Sequence, residues 1–298
     1  MKYILTTLLF STLFSVISCN MKTVPFGLEA SKGGILDYKT SKDFYEKIVK
    51  VHYFMPSGDI EKMKVQIVLH GASRNADEYL DGWKEKAKQY GLIVLSLEYS
   101  NEQFSIGQYS LGMIQDTLGE LNPPKKTLFY LMDQLFLFAK ERLNFNQKTY
   151  NIFGHSAGGQ FVHRFLQFHE SPYMNKAVAA NSGWYTYPDE KVEFPYGING
   201  LVLGSIIPIT KHYSEDLLIL LGTADTLRTN NLRVNKEADA QGLNRLERGI
   251  NYYEWNKTNA NQLGLNFKWK IDYVQDAGHE HFLMSQAAAD LLYKKKEK

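Results

Sequence analysis

The sequence predicts an α/β fold, a mostly parallel central sheet with helices on both faces. Three observations carry that reading. Short, predominantly apolar runs recur at 65–69, 92–97 and 217–221, the pattern of strands buried on both faces. Segments with apolar residues at helical spacing, above all 76–90 and 128–143, lie between such runs. The two kinds of segment alternate, which calls for crossover connections and parallel neighbours. The 298 residues, 44% of them hydrophobic and 22% charged, suffice for one large core. Aromatic residues make up 13%, a supply for that core. The formal net charge is only +2, and the basic residues gather nowhere except Lys294-Lys295-Lys296. That distribution gives no reason to expect a nucleic-acid partner.

Residues 1–18 read as a signal peptide. Lys2 opens a run, 4–17, that is apolar or hydroxylated and uncharged. The run is shorter than the roughly 20 residues of a membrane-spanning helix, and fits an export signal. It ends in Val16-Ile17-Ser18-Cys19, which resembles a bacterial lipobox, and Cys19 is the sole cysteine. The resemblance implies cleavage before Cys19, lipidation of its thiol, and an exported protein anchored to a membrane, periplasmic or at the cell surface. The alternative is a plain secretory signal with an incidental cysteine. Residues 19–45 are polar, contain Gly33-Gly34 and read as a lipidated N-terminus and tether. One domain is expected over 46–298.

Within it, 48–54 alternates as a strand does, and 65–69 is a strand broken by His70-Gly71. A helix is expected over 76–90 and a strand over 92–97. Residues 101–126 have no period and hold Gly107, Gly112, Gly119 and Pro123-Pro124, so they read as a loop excursion. Helix 128–143, strand 149–153, helix 159–168 and strand 176–180 follow. Residues 183–212 read as loops over the carboxyl edge of the sheet. Strands 217–221 and 267–274 and a helix over 284–296 complete the pattern.

Four segments carry chemistry. Gly154-His155-Ser156-Ala157-Gly158 lies between a strand and a helix, the context of a nucleophile elbow, with glycines where side chains would clash. Ser156 then stands above the sheet, and the Ala157 N–H faces the position where negative charge develops. Leu69-His70-Gly71-Ala72-Ser73 ends a buried strand. The N–H of Ala72, or of Ser73, is placed to be the second oxyanion donor, and His70 is a candidate substrate contact. Gly222-Thr223-Ala224-Asp225 puts an acid just past a strand, and Asp276-Ala277-Gly278-His279-Glu280-His281 puts a histidine past the next. The order Ser156, Asp225, His279 is that of a triad on such a sheet. His281 is the rival base, Asp272 and Asp276 are the rival acids, and the His155 side chain is expected to point away. Trp184, after the strand at 176–180, is a candidate stacking surface for substrate, with packing as its alternative. The eight histidines show no zinc-ligand spacing, so no metal and no cofactor are expected.

Across most of 48–293 the chain resembles the α/β-hydrolase superfamily, on His70-Gly71-Ala72, Gly154-His155-Ser156-Ala157-Gly158-Gly159, Gly222-Thr223-Ala224-Asp225 and Gly278-His279. It looks like the bacterial esterases grouped with polyhydroxybutyrate depolymerases and feruloyl or acetylxylan esterases. The resemblance implies the α/β-hydrolase fold and a serine carboxylic-ester hydrolase that acts on small or carbohydrate-linked esters. A serine peptidase of the dipeptidyl-peptidase type shares the residue order. A non-catalytic binding protein on the same fold is the third reading, and the three filled triad positions oppose it.

Overall fold

The apolar runs become the central strands, and alternate residues of each serve opposite layers. The computed structural model describes residues 28–29, 31–201 and 207–295. Its strands and helices in chain order are β1 (Leu28–Glu29), β2 (Lys32–Lys39), β3 (Ile48–Met55), β4 (Gly58–Asp59), β5 (Lys64–Leu69), α1 (Ala76–Tyr90), β6 (Leu92–Glu98), α2 (Ile106–Ser110), α3 (Leu128–Leu143), β7 (Tyr150–His155), α4 (Ala157–Phe168), β8 (Met174–Ala180), α5 (Ile209–Ser214), β9 (Leu217–Gly222), α6 (Lys236–Asp239), α7 (Arg245–Gln262), β10 (Lys270–Val274) and α8 (His281–Tyr293). Eight strands form one sheet in the order β10-β9-β8-β7-β5-β6-β3-β2. From β10 to β6 every pairing is parallel, while β3 and β2 are added antiparallel at one edge.

Ile67, Ile152, Ala179 and Ile219 face one layer, where they meet Phe129, Phe136, Phe161, Phe165 and Tyr252 of α3, α4 and α7. Their neighbours Val68, Phe153, Val178 and Leu220 face the other, against Tyr79, Trp83, Met284 and Ala288 of α1 and α8. Burial on both faces is why these strands read as largely apolar runs, without a regular polar alternation. The carboxyl ends of β5, β7, β8, β9 and β10 share one edge, where an open α/β sheet places its site.

The structure departs from the sequence reading in four places. Lys32–Lys39, expected as tether, is edge strand β2, paired along its length with β3. Its first four residues are exposed, so it lacks the buried face that marks a strand in sequence. Helix α7 was not expected, and the loops at 183–212 include the short helix α5. The excursion at 101–126 contains α2 and a single 3-10 turn at Pro124–Lys126. Residues 1–27, with the signal and Cys19, lie outside the described residues. No described helix is long and apolar enough to cross a membrane.

Candidate active site

Strand β7 runs straight into α4, and Ser156 is the hinge between them. Its backbone has φ 58° and ψ −115°, a region a non-glycine residue occupies only when its surroundings force it to. The surroundings are tight. A Cβ on Gly154 would lie 2.2 Å from the Gly158 carbonyl oxygen, and one on Gly158 would lie 2.4 Å from the Leu69 carbonyl oxygen. The first turn of α4 leaves N–H groups, that of Ala157 among them, without intrahelical acceptors, and adds positive potential at the serine.

Three residues distant in sequence meet there. His279 Nε2 lies 3.0 Å from Ser156 Oγ. His279 Nδ1 lies 2.7 Å from Asp225 Oδ2. Asp225 is buried, and Ser156 and His279 are half-buried. The rival acids do not reach the imidazole. Asp272 Oδ1 accepts the Tyr273 N–H, and Asp276 Oδ1 accepts from the Gln275 amide. His281 stacks on Tyr79 with ring centroids 4.2 Å apart. The second oxygen of Asp225, Oδ1, faces Arg245 Nη1 at 3.4 Å. Arg245 opens α7 and is buried, and its Nε has no partner among the described residues. Burial pulls its guanidinium below the ordinary value, and Asp225 opposes that pull.

Three expectations need correcting. The His155 ring does not turn away from the site. It lies 4.6 Å from the His279 ring, with its Nδ1 2.9 Å from the Tyr79 hydroxyl. Burial, reinforced by His279, pushes its pKa far down, so it packs as a neutral ring. The His70 side chain does not lie open to the site. It is fully buried; its Nδ1 donates to the Gly71 carbonyl at 2.9 Å, and its Nε2 accepts the Tyr99 N–H at 3.1 Å. Burial drops its pKa to about 3. Its role is to shape the loop that carries Ala72, which is exposed. The Tyr109 hydroxyl braces the same loop by donating to the His70 carbonyl at 2.8 Å. Trp184 is not an open stacking surface. It is only 4% exposed, and the guanidinium groups of Arg164 and Arg233 lie 4.1 and 4.9 Å from its ring centroid.

Two residues at this edge carried no motif. Arg245 lies between Asn244 and Glu247, a capping pair that marks the start of the helix but not Arg245 itself. Asn181, just past β8, gave no signal. A cleft of about 660 Å³ is lined by Phe104, Gln108, Leu111, Ile114, Asn122 and Phe194 among others, and by none of Ser156, Asp225 and His279. Among the described residues no group of three or more His, Cys, Asp and Glu is placed to hold a metal ion.

No family model and no curated protein matches the chain. Solved structures do. Poly(aspartic acid) hydrolase-1 from Sphingomonas sp. KT-1 is 36% identical, with a TM-score of 0.82 over 89% of this chain and 100% of its own. The poly(3-hydroxybutyrate) depolymerase LpqC from Bordetella parapertussis is 27% identical, with a TM-score of 0.83 over 90% of this chain and 91% of its own. An S-formylglutathione hydrolase from Agrobacterium tumefaciens, at 16% identity, has a TM-score of 0.55 over 90% of this chain and 95% of its own, and shares the fold.

Proposed function

Because the chain belongs to the α/β-hydrolase superfamily of serine hydrolases, we propose that it cleaves carboxylic esters through an acyl-enzyme on Ser156. The observation that carries this is the unbroken chain of hydrogen-bond distances from Ser156 Oγ through His279 to Asp225. His279 Nε2 takes the hydroxyl proton as Oγ attacks the ester carbonyl carbon. Asp225 holds the Nδ1 proton, fixes the ring tautomer and stabilises the imidazolium that forms. The N–H groups of Ala157 and Ala72 receive the oxyanion. The imidazolium then protonates the leaving alcohol. In the second half, His279 deprotonates a water that attacks the acyl carbon, and Ser156 leaves with its proton restored.

Small or carbohydrate-linked esters are the substrates this reading favours. A second reading has one observation behind it: the relative at 36% identity is named for poly(aspartic acid), a polyamide. The same machinery cleaves an amide if His279 protonates the departing amine. The deciding experiment is kcat/KM over p-nitrophenyl esters of rising chain length, feruloyl and acetyl-sugar esters, and poly(aspartic acid). Turnover of the small esters supports the first reading. Cleavage of poly(aspartic acid) with no esterase activity replaces it with the second.

The reading extends to location. Cys19 is the proposed lipidation site, and a diacylglyceryl anchor with an added acyl chain holds a protein firmly to a bilayer. Cys19→Ala is expected to move the protein into the soluble fraction or to stop its processing. Unchanged membrane retention would refute the anchor.

A further inference from the structure

The acid-bearing and base-bearing loops are joined by one side chain. Asn181 is the first residue beyond β8, fully buried, with φ 42°. Its Oδ1 accepts the Gly222 N–H at 2.8 Å. Its Nδ2 donates to the Gly278 carbonyl at 3.0 Å. Gly222 closes β9 three residues before Asp225, and Gly278 immediately precedes His279. The Asn181 backbone N–H donates to the Leu220 carbonyl at 3.0 Å, and the Ser156 N–H donates to the Ala180 carbonyl at 2.9 Å. The nucleophile, acid and base loops are therefore all tied to residues 180 and 181.

The two loops also touch directly. The Ala224 N–H donates to the Ala277 carbonyl at 2.9 Å, and a Cβ on Gly222 would lie 2.4 Å from that same oxygen. Between such loops only a short planar group with one acceptor and one donor meets both demands. A carboxylate keeps the acceptor but turns a second oxygen towards the Gly278 carbonyl. An aliphatic side chain leaves a buried N–H and a buried carbonyl without partners. Asparagine is also among the few residues that tolerate positive φ.

We propose that Asn181 is a positioning residue for the hydrolytic reaction, its amide fixing the spacing between the loops that carry Asp225 and His279. The proposal rests on the reading of Ser156, His279 and Asp225 as the catalytic triad. A side chain that only stabilised the fold would change melting temperature and leave turnover alone. One that sets the registry of acid and base changes turnover with little change in KM, since small misplacements of reacting groups cost up to about 100-fold.

The test uses Asn181→Asp, Asn181→Gly, Ser156→Ala and the parent protein on one activated p-nitrophenyl ester. The readouts are kcat, KM, melting temperature and the rate of labelling by a fluorophosphonate. Asn181→Asp keeps the size of the side chain, and Asn181→Gly accepts the backbone angle without strain. Both are expected to lose roughly 10- to 100-fold in kcat with KM within about threefold, and to label more slowly in proportion. Either folded variant with kcat within twofold of the parent overturns the proposal. So does unfolding of both at the assay temperature, which assigns Asn181 to stability alone. Activity surviving in Ser156→Ala refutes the triad instead, whatever the Asn181 variants do.

Discussion

Two sets of serine, histidine and aspartate sit at opposite ends of strand β7, and they are wired differently. At the carboxyl end the wiring is linear, Ser156 to His279 to Asp225, at 3.0 and 2.7 Å. At the amino end the aspartate is a hub. Asp133 Oδ1 accepts from Ser171 Oγ at 2.8 Å and from the Tyr150 hydroxyl at 2.6 Å, while its Oδ2 lies 2.8 Å from His169 Nε2. Both aspartates are 3% exposed, so residue types and burial match. What differs is where the serine proton goes. Ser171 gives it to the acid and uses its oxygen to accept the Tyr173 and Met174 N–H groups. Ser156 faces a ring nitrogen whose far side is held by a carboxylate, at the start of a helix. Only the second arrangement supplies a base for the hydroxyl and a home for negative charge. Connectivity, more than composition, separates a candidate nucleophile from a structural tie.

Substitutions at both ends test that contrast. The largest effect is expected at Ser156→Ala and His279→Ala, each falling to near background with the melting temperature kept. Next comes Asp225→Asn, which is expected to cost roughly 10³ to 10⁴ in kcat with the fold intact by circular dichroism. Asp133→Asn should do the reverse, leaving kcat within twofold and destabilising by roughly 2 to 3 kcal/mol, because it breaks a buried hub of donors. Ser171→Ala is the mildest, at about 1 kcal/mol in denaturant titration with kcat unchanged. A crippled Asp133→Asn beside a normal Asp225→Asn would invert the assignment of the two ends.

Four other histidines, His70, His155, His163 and His212, are buried without a carboxylate partner. Burial holds His70 down to about 3 and His212 to about 4, and pushes His155 and His163 well below the ordinary value. A depressed histidine is neutral in the folded state, while the unfolded chain protonates it near pH 6.5. The unfolded state then binds more protons, so stability is full above about pH 6.5 and declines as pH falls towards the folded values. Each such histidine contributes a slope of up to about 1.4 kcal/mol per pH unit in that window. The melting temperature is expected to drop steeply between pH 6.5 and 4.5. A flat profile there would show that these rings are not held neutral.

Chemistry concentrated in short segments was legible in sequence, and contacts between distant segments were not. The buried strands announced themselves because two-sided burial leaves 217–221 wholly apolar and 65–69 apolar but for Gln66. The Ser156 turn was legible because glycines at 154 and 158 answer a local crowding. Helix α7 escaped because its mean hydropathy is low and Gly249, Thr258 and several asparagines weaken its propensity. Only its first turn carried a signal, Asn244 with Glu247. Strand β2 escaped because an exposed edge needs no apolar face. Arg245 and Asn181 are polar residues whose meaning lies wholly in what the fold brings to them. The side chains of His70 and Trp184 were placed at the surface of the site because sequence proximity to a motif says nothing about which way a ring turns.

The close seam between the ends of β9 and β10 bears on redesign. Val274 and Ala277 accept backbone hydrogen bonds from Thr223 and Ala224, and no space remains at Gly222 for a single methyl group. An inserted residue on either side of the seam has nowhere to go, so libraries that lengthen 222–225 or 274–279 should yield few active members. The stretch from 226 to 244 is different. Leu227, Val234 and Leu243 stand 69%, 56% and 55% exposed there. Sequence diversity is better aimed at those exposed positions, clear of the registry between the two loops.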